Sequence, residues 1–225
     1  MHQRKNKYYK RSHISEGKFR HLLKCFSLDL NAFEAHKITN ISHRSCKLIY
    51  GKLRSHIVQL FTHSTPTMGE FECDESYFGP RRVRGKRGRG ALGKTPVLGI
   101  LKRGGRVYVS IVKNCSQAAL LPVIQGKILE GSTIHTDGWK AYDGLILNGY
   151  DHYRVYHSHN EFSRGKSHIN GLESFWSFAK RRLSQFNGVS PKTFYLFIKE
   201  TEFRFNHRDQ NLYQLLLGKL RKYPL

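Results

Sequence analysis

Cysteine is scarce and scattered. The four residues, Cys25, Cys46, Cys73 and Cys115, include no Cys-x-x-Cys pair. That argues against a zinc ribbon and offers no disulfide framework, and a reducing cytosol suits it. No apolar run approaches the roughly 18 residues of a membrane span. The basic opening, Met1 to Arg11, has no apolar stretch behind it and does not read as a secretory signal. No internal repeat is visible. The scarcity that matters most is of acid: 16 Asp+Glu stand against 39 Lys+Arg, a formal net charge of +23. Such an excess is silent about fold but calls for a polyanionic partner, either nucleic acid or an anionic membrane.

What is present suits one medium domain, or one domain with a small appendage, since 39% of the 225 residues are hydrophobic and can fill a core. Residues 1–11 read as a flexible basic arm. Residues 15–61 read as all-helical. Phe19, Leu22, Leu23 and Phe26 share one helix face. Asn31 suits the N-cap of a short helix through Lys37. Ser42 then caps a longer helix in which Cys46, Ile49, Tyr50, Leu53, Ile57 and Leu60 face inward. Its outward positions include Arg44, Ser45, Lys47, Lys52 and Arg54. Two short helices, a tight turn and a helix with a basic outer face form the pattern of a helix-turn-helix.

A Pro-containing polar linker precedes the strand Glu70-Phe71-Glu72-Cys73-Asp74-Glu75-Ser76-Tyr77-Phe78-Gly79. Strand geometry sends Glu72, Asp74 and Ser76 to one face, and Cys73, Glu75 and Tyr77 to the other. Acid gathered on a strand is costly unless a cation meets it. Asp74 is therefore a candidate metal ligand. Directly after it come Arg81, Arg82, Arg84, Lys86, Arg87 and Arg89 among glycines, a loop suited to gripping phosphates.

Residues 95–101 and 106–112 form a hairpin around Lys102-Arg103-Gly104-Gly105. A helix is expected from Ser116 to Leu129, ended by Gly131, with Pro122 able to kink it. Thr133-Ile134-His135-Thr136-Asp137-Gly138-Trp139 is a strand ending in a carboxylate. A short helix begins at Lys140, and residues 153–157 form a further strand. Ile169 to Gln185 is a strong helix. Its apolar face holds Leu172, Phe175, Trp176, Ala179 and Leu183, and a polar line of Asn170, Glu173, Ser177 and Lys180 runs beside it. Ser190-Pro191 opens another helix, and the segment from Asn211 onward is a tail without a clear pattern.

Three acids stand out: Asp74 in the first strand, Asp137 at the end of the fourth, and Glu173 in a helix beyond the fifth. Three carboxylates brought together repel one another unless divalent cations join them, and oxygen-only ligands select hard ions such as Mg²⁺ or Mn²⁺. Two such ions can stabilise the attacking and leaving oxygens of an in-line displacement at phosphorus.

The strings Glu72 to Gly79, His135-Thr136-Asp137-Gly138-Trp139, His168-Ile169-Asn170-Gly171-Leu172-Glu173-Ser174-Phe175-Trp176, Lys180-Arg181-Arg182 and Phe203-Arg204-Phe205-Asn206-His207-Arg208 follow in order. Together they resemble the DDE transposases of bacterial insertion sequences, in the small branch with an N-terminal helix-turn-helix before a ribonuclease-H-like domain. The resemblance implies an α/β fold, a mixed five-stranded sheet with flanking helices behind a small all-α domain. It implies a helix-turn-helix over residues 1–62, a linker at 63–69, a catalytic domain over 70–208 and a tail at 209–225. It implies Asp74, Asp137 and Glu173 as catalytic residues and metal ligands, with Mg²⁺ or Mn²⁺ as cofactor. DNA is the implied partner, contacted by Arg44, Lys47, the 81–89 loop, Lys180 and Arg181. His135, His168 and Asn170 are candidate auxiliary residues. Many relatives carry a zinc ribbon; this chain has none, so recognition of the element's ends would rest on residues 1–61. Bringing two ends together implies at least a dimer, and a cytoplasmic, nucleoid-associated protein is expected. Two other readings fit the charge: a non-catalytic DNA-binding regulator, and a structure-specific nuclease of the same fold.

Overall fold

The computed structural model describes residues 6–61, 65–79, 93–137, 140–155 and 170–225. Packing divides the chain into two compact units, Met1–Thr62 with Pro191–Leu225, and His63–Ser190.

The first unit is all helical. It holds α1 (Glu16–Ser27), α2 (Ala32–Thr39), α3 (His43–Phe61), α6 (Pro191–Asn206) and α7 (Leu212–Lys222). Phe19, Leu22, Leu23 and Phe26 of α1 are all buried, as their spacing predicts. Asn31 caps α2 through a reciprocal capping box with Glu34, worth about 1 kcal/mol. Asn40 ends α2 in the left-handed conformation, at φ 53. It thereby performs the turn that a glycine more often provides. Ser42 Oγ accepts from the Ser45 amide at the start of α3. The α2–α3 turn is thus short and fixed at both ends.

Several expectations change here. Arg54, read as outward, is buried. It donates to Glu200 Oε2 at 2.7 Å, and its guanidinium lies 3.9 Å from the centre of the Phe197 ring. Helical phase alone places a cation outside; here α6 covers it and supplies the counter-charge. The arm is also tied down from residue 6 onward. Tyr8 is buried in the helical core, and backbone hydrogen bonds join Lys10 and Tyr8 to Leu225. The patternless tail is a helix, α7, capped by Asn211 and burying Leu216 and Leu220.

In the first unit α6 packs with the N-terminal helices. Glu200 also accepts from Arg204 at 2.9 Å. Arg204 in turn donates to the carbonyls of Phe26 and Ser27 at the end of α1. The Phe203-to-Arg208 string therefore holds the helical unit together.

The second unit contains β1 (Glu70–Phe78), β2 (Thr95–Lys102), β3 (Val107–Ile111), α4 (Gln117–Gln125), β4 (Thr133–Asp137), a 3₁₀ segment (Lys140–Asn148), β5 (Asp151–Val155) and α5 (Asn170–Ser184). The sheet order is β3-β2-β1-β4-β5. β1, β2 and β3 pair antiparallel, and β1, β4 and β5 pair parallel. This is the ribonuclease-H-like arrangement. On one face Phe71, Cys73, Leu98, Ile100 and Ile134 pack with Leu120, Ile124, Tyr142 and Leu145. The other face receives α5, whose Leu172, Phe175, Trp176 and Ala179 are buried.

α4 is shorter than expected. It stops at Gln125, with Gly126 as its C-cap. Gly126 favours unwinding, and Pro122 has already removed one backbone donor from the ladder. The short helix at Lys140 is a 3₁₀ segment, and the last strand begins at Asp151, two residues early. The expected strand residues 138–139 and 156–157 lie outside the described residues.

Candidate active site

Parallel pairing of β1 with β4 matches Glu72 to His135 and Cys73 to Thr136. The next step along both strands sets Asp74 beside Asp137, the last residue of β4. Neighbouring strands lie about 4.8 Å apart, and matched positions share a face. One residue beyond the Cys73–Thr136 pair, strand alternation assigns both aspartates to the face that α5 covers. A single-residue slip would send one of them to the opposite face.

α5 is held to that face by two polar contacts from β1. Glu72 Oε2 accepts from the Leu172 amide at 3.1 Å, so a strand carboxylate caps the first turn of the helix. Asp74 Oδ2 accepts from the Trp176 indole N–H at 2.9 Å. Close approach depends on Gly171. A Cβ there would lie 2.1 Å from Leu101 Cδ2 and 3.1 Å from Glu72 Oε2. Burial pushes the Glu72 carboxyl upward, while the Leu172 amide and Arg103 pull it back.

Glu173 sits between these two anchors in the first turns of α5, and it is exposed. Ser177, Lys180 and Arg181 continue the exposed side of the helix. Among the described residues, no three Asp, Glu, His or Cys side chains come together as a group able to hold an ion. Strand register therefore puts Asp74 and Asp137 at neighbouring positions on adjacent strands, and Glu173 lies in the first turn of the helix packed on that sheet. Two hard oxygen donors on adjacent strands fit a divalent cation.

Behind the aspartates, acid meets base in succession. His135 Nε2 lies 2.7 Å from Glu70 Oε1, Arg103 pairs with Glu70, and Arg103 Nε stands 3.6 Å from Glu72. Burial lowers the His135 pKa even though Glu70 raises it. His135 is thus a buried partner of Glu70, stacked on Tyr153. Arg44 and Lys47 are exposed on the first turns of α3 in the helical unit. His168 and the arginine-rich stretch with Arg81, Arg82, Arg84, Lys86, Arg87 and Arg89 lie outside the described residues, as does the Asn170 side chain. Sequence reasoning missed Trp176 as a partner of Asp74, because its helical phase marks it only as core.

The sheet order, with α5 packed across β1 and β2, defines a ribonuclease-H-like domain. The chain belongs to the ISXO2-like transposase domain family, whose model matches residues 66–206; these are DDE-type insertion-sequence transposases. It is 38% identical over 120 residues to an uncharacterized transposase-like protein of Haemophilus influenzae, covering 51% of this chain and 97% of that protein. It is 32% identical over 162 residues to an uncharacterized protein in transposable element ISH50 of Halobacterium salinarum, covering 65% of this chain and 55% of that one. The Mos1 strand transfer complex aligns over 94% of this chain and 96% of that chain at 10% identity, with a TM-score of 0.34. Among the described residues no helix is long and apolar enough to cross a membrane.

Proposed function

We propose that this chain is a transposase that binds the terminal inverted repeats of its element and carries out cation-dependent DNA cleavage and strand transfer. The observation that supports the reading is the parallel β1–β4 register, which ends one residue before Asp74 and Asp137, with α5 and its Glu173 packed on the same sheet. Family membership supports it.

Asp74 and Asp137 would hold Mg²⁺ or Mn²⁺, with Glu173 completing the set once DNA is bound. The cations, when bound, supply charge neutralisation at the attacking and leaving oxygens. In the first step water attacks phosphorus at the element's end, the P–O3′ bond breaks, and a 3′-hydroxyl leaves. In the second that hydroxyl attacks a target phosphodiester. Its oxygen forms the new P–O bond, and the target's 3′-oxygen departs with a proton. Bonds of one kind are exchanged, so no nucleotide cofactor is needed.

Lys180 and Arg181 extend along α5 from Glu173 and would hold phosphates near the reacting end. The basic residues at 81–89 would add contacts to the DNA backbone. Arg44 and Lys47 open the second helix of the α2–α3 pair, where a helix-turn-helix contacts DNA. Two ends must meet before joining, so the working form is a dimer or larger on DNA.

The test is strand transfer by purified protein with Mg²⁺, a precut terminal repeat and a supercoiled target. Joined products are expected. Nicking without joining would indicate a nuclease, and binding without either reaction a regulator.

A further inference from the structure

Across the β1–β2 pair, Asp74 is matched to Gly99. A Cβ on Gly99 would stand 2.6 Å from Trp176 Cζ2 and 3.0 Å from Leu172 Cδ2. The glycine leaves a notch in the sheet, and the indole occupies it. From there Trp176 reaches Asp74 Oδ2 with its Nε1–H at 2.9 Å. The ring is 5% exposed and packs against Phe175 and Phe78, with centroids 5.0 and 5.9 Å away. A bicyclic side chain held on several sides has few other rotamers, so its N–H points in one direction. Indole is a donor only and does not titrate.

We propose that Trp176 is a positioning residue for the reaction. It fixes the orientation in which Asp74 presents its carboxylate to the cation, and Gly99 is the space that lets it do so. The same bond ties the second turn of α5 to β1, which sets where Glu173, three residues earlier, stands over the site. Carboxylates that ligate metals are commonly oriented by such hydrogen bonds, and losing the partner weakens the site without removing a ligand. The inference rests on the reading of Asp74 as a cation ligand.

The experiment is Mn²⁺ binding to the full chain without DNA, followed by electron paramagnetic resonance. Circular dichroism melts check that each variant is folded. Four proteins are compared with the parent: Asp74→Asn, Trp176→Phe, Gly99→Ala, and Trp176 replaced by benzothienylalanine. The last keeps the bicyclic shape and lacks only the N–H, so it decides the question if Trp176→Phe does not fold. Asp74→Asn is expected to lose Mn²⁺ binding. The two Trp176 replacements are expected to weaken it by about 10- to 100-fold, and Gly99→Ala to follow them. If Asp74→Asn loses the ion while the benzothienylalanine protein binds like the parent, the positioning role is overturned and the site reading stands. If Asp74→Asn also binds like the parent, both fall together.

Discussion

Glu72 and Leu172, 100 residues apart in sequence, are joined by a hydrogen bond from the Leu172 amide to Glu72 Oε2. This bond fixes the entry of α5 onto the sheet. Its neighbour Gly171 leaves room for the contact. Glu72→Ala is expected to cost about 1–3 kcal/mol, the penalty for a buried donor left unpaired. Glu72→Gln keeps an acceptor and should recover most of that loss. Urea denaturation checks the stability, and strand-transfer rates should fall for the alanine variant and largely return for the glutamine variant.

The helical unit carries its own buried charge centre. Glu200, 1% exposed, accepts from Arg54 at 2.7 Å and from Arg204 at 2.9 Å. Removing the acid takes a shared carboxylate away from two buried guanidinium groups, although Arg204 keeps the Phe26 and Ser27 carbonyls. Glu200→Ala should therefore destabilise the protein by about 3–5 kcal/mol. Glu200→Gln should cost less, because its amide oxygen still accepts. An alanine variant with the parent's urea midpoint would refute the account of why α6 packs with the N-terminal helices.

Stability should fall on mild acidification. Burial lowers the pKa of His56, His135 and His152 below the ordinary histidine value. The unfolded chain then binds more protons than the folded one between the two values. The contribution is fully present above about pH 6.5 and is lost as pH falls through the folded values. The Glu72 carboxyl, raised by burial, acts in the opposite sense just above the carboxylate range. His152→Gln separates the two, since it should flatten the drop in melting temperature between about pH 7.5 and about pH 5.5.

Much of this architecture is legible in the sequence. The spacing of Phe19, Leu22, Leu23 and Phe26 announces α1. Alternation along residues 70–78 announces β1 and puts Asp74 on the face opposite Cys73. What local pattern does not carry is pairing over distance. Nothing near Arg54 reveals that Glu200, 146 residues later, turns an outward position into a buried one. Trp176 has the phase of an ordinary core residue; only the opposing Gly99 and Asp74, on other elements, make it a polar partner. The end of α4 follows from Pro122 and Gly126 acting together, where a longer apolar repeat suggests continuation.

Cation ligation by the paired aspartates is the claim on which the functional account depends, and a change of ligand softness tests it most directly. Asp137→Cys is assayed for strand transfer with Mg²⁺ and then with Mn²⁺. A thiolate binds Mg²⁺ poorly and accepts softer ions more readily. The account predicts loss of joined products in Mg²⁺ and their partial return in Mn²⁺, with DNA binding unchanged throughout. Full activity of Asp137→Cys in Mg²⁺ would contradict it.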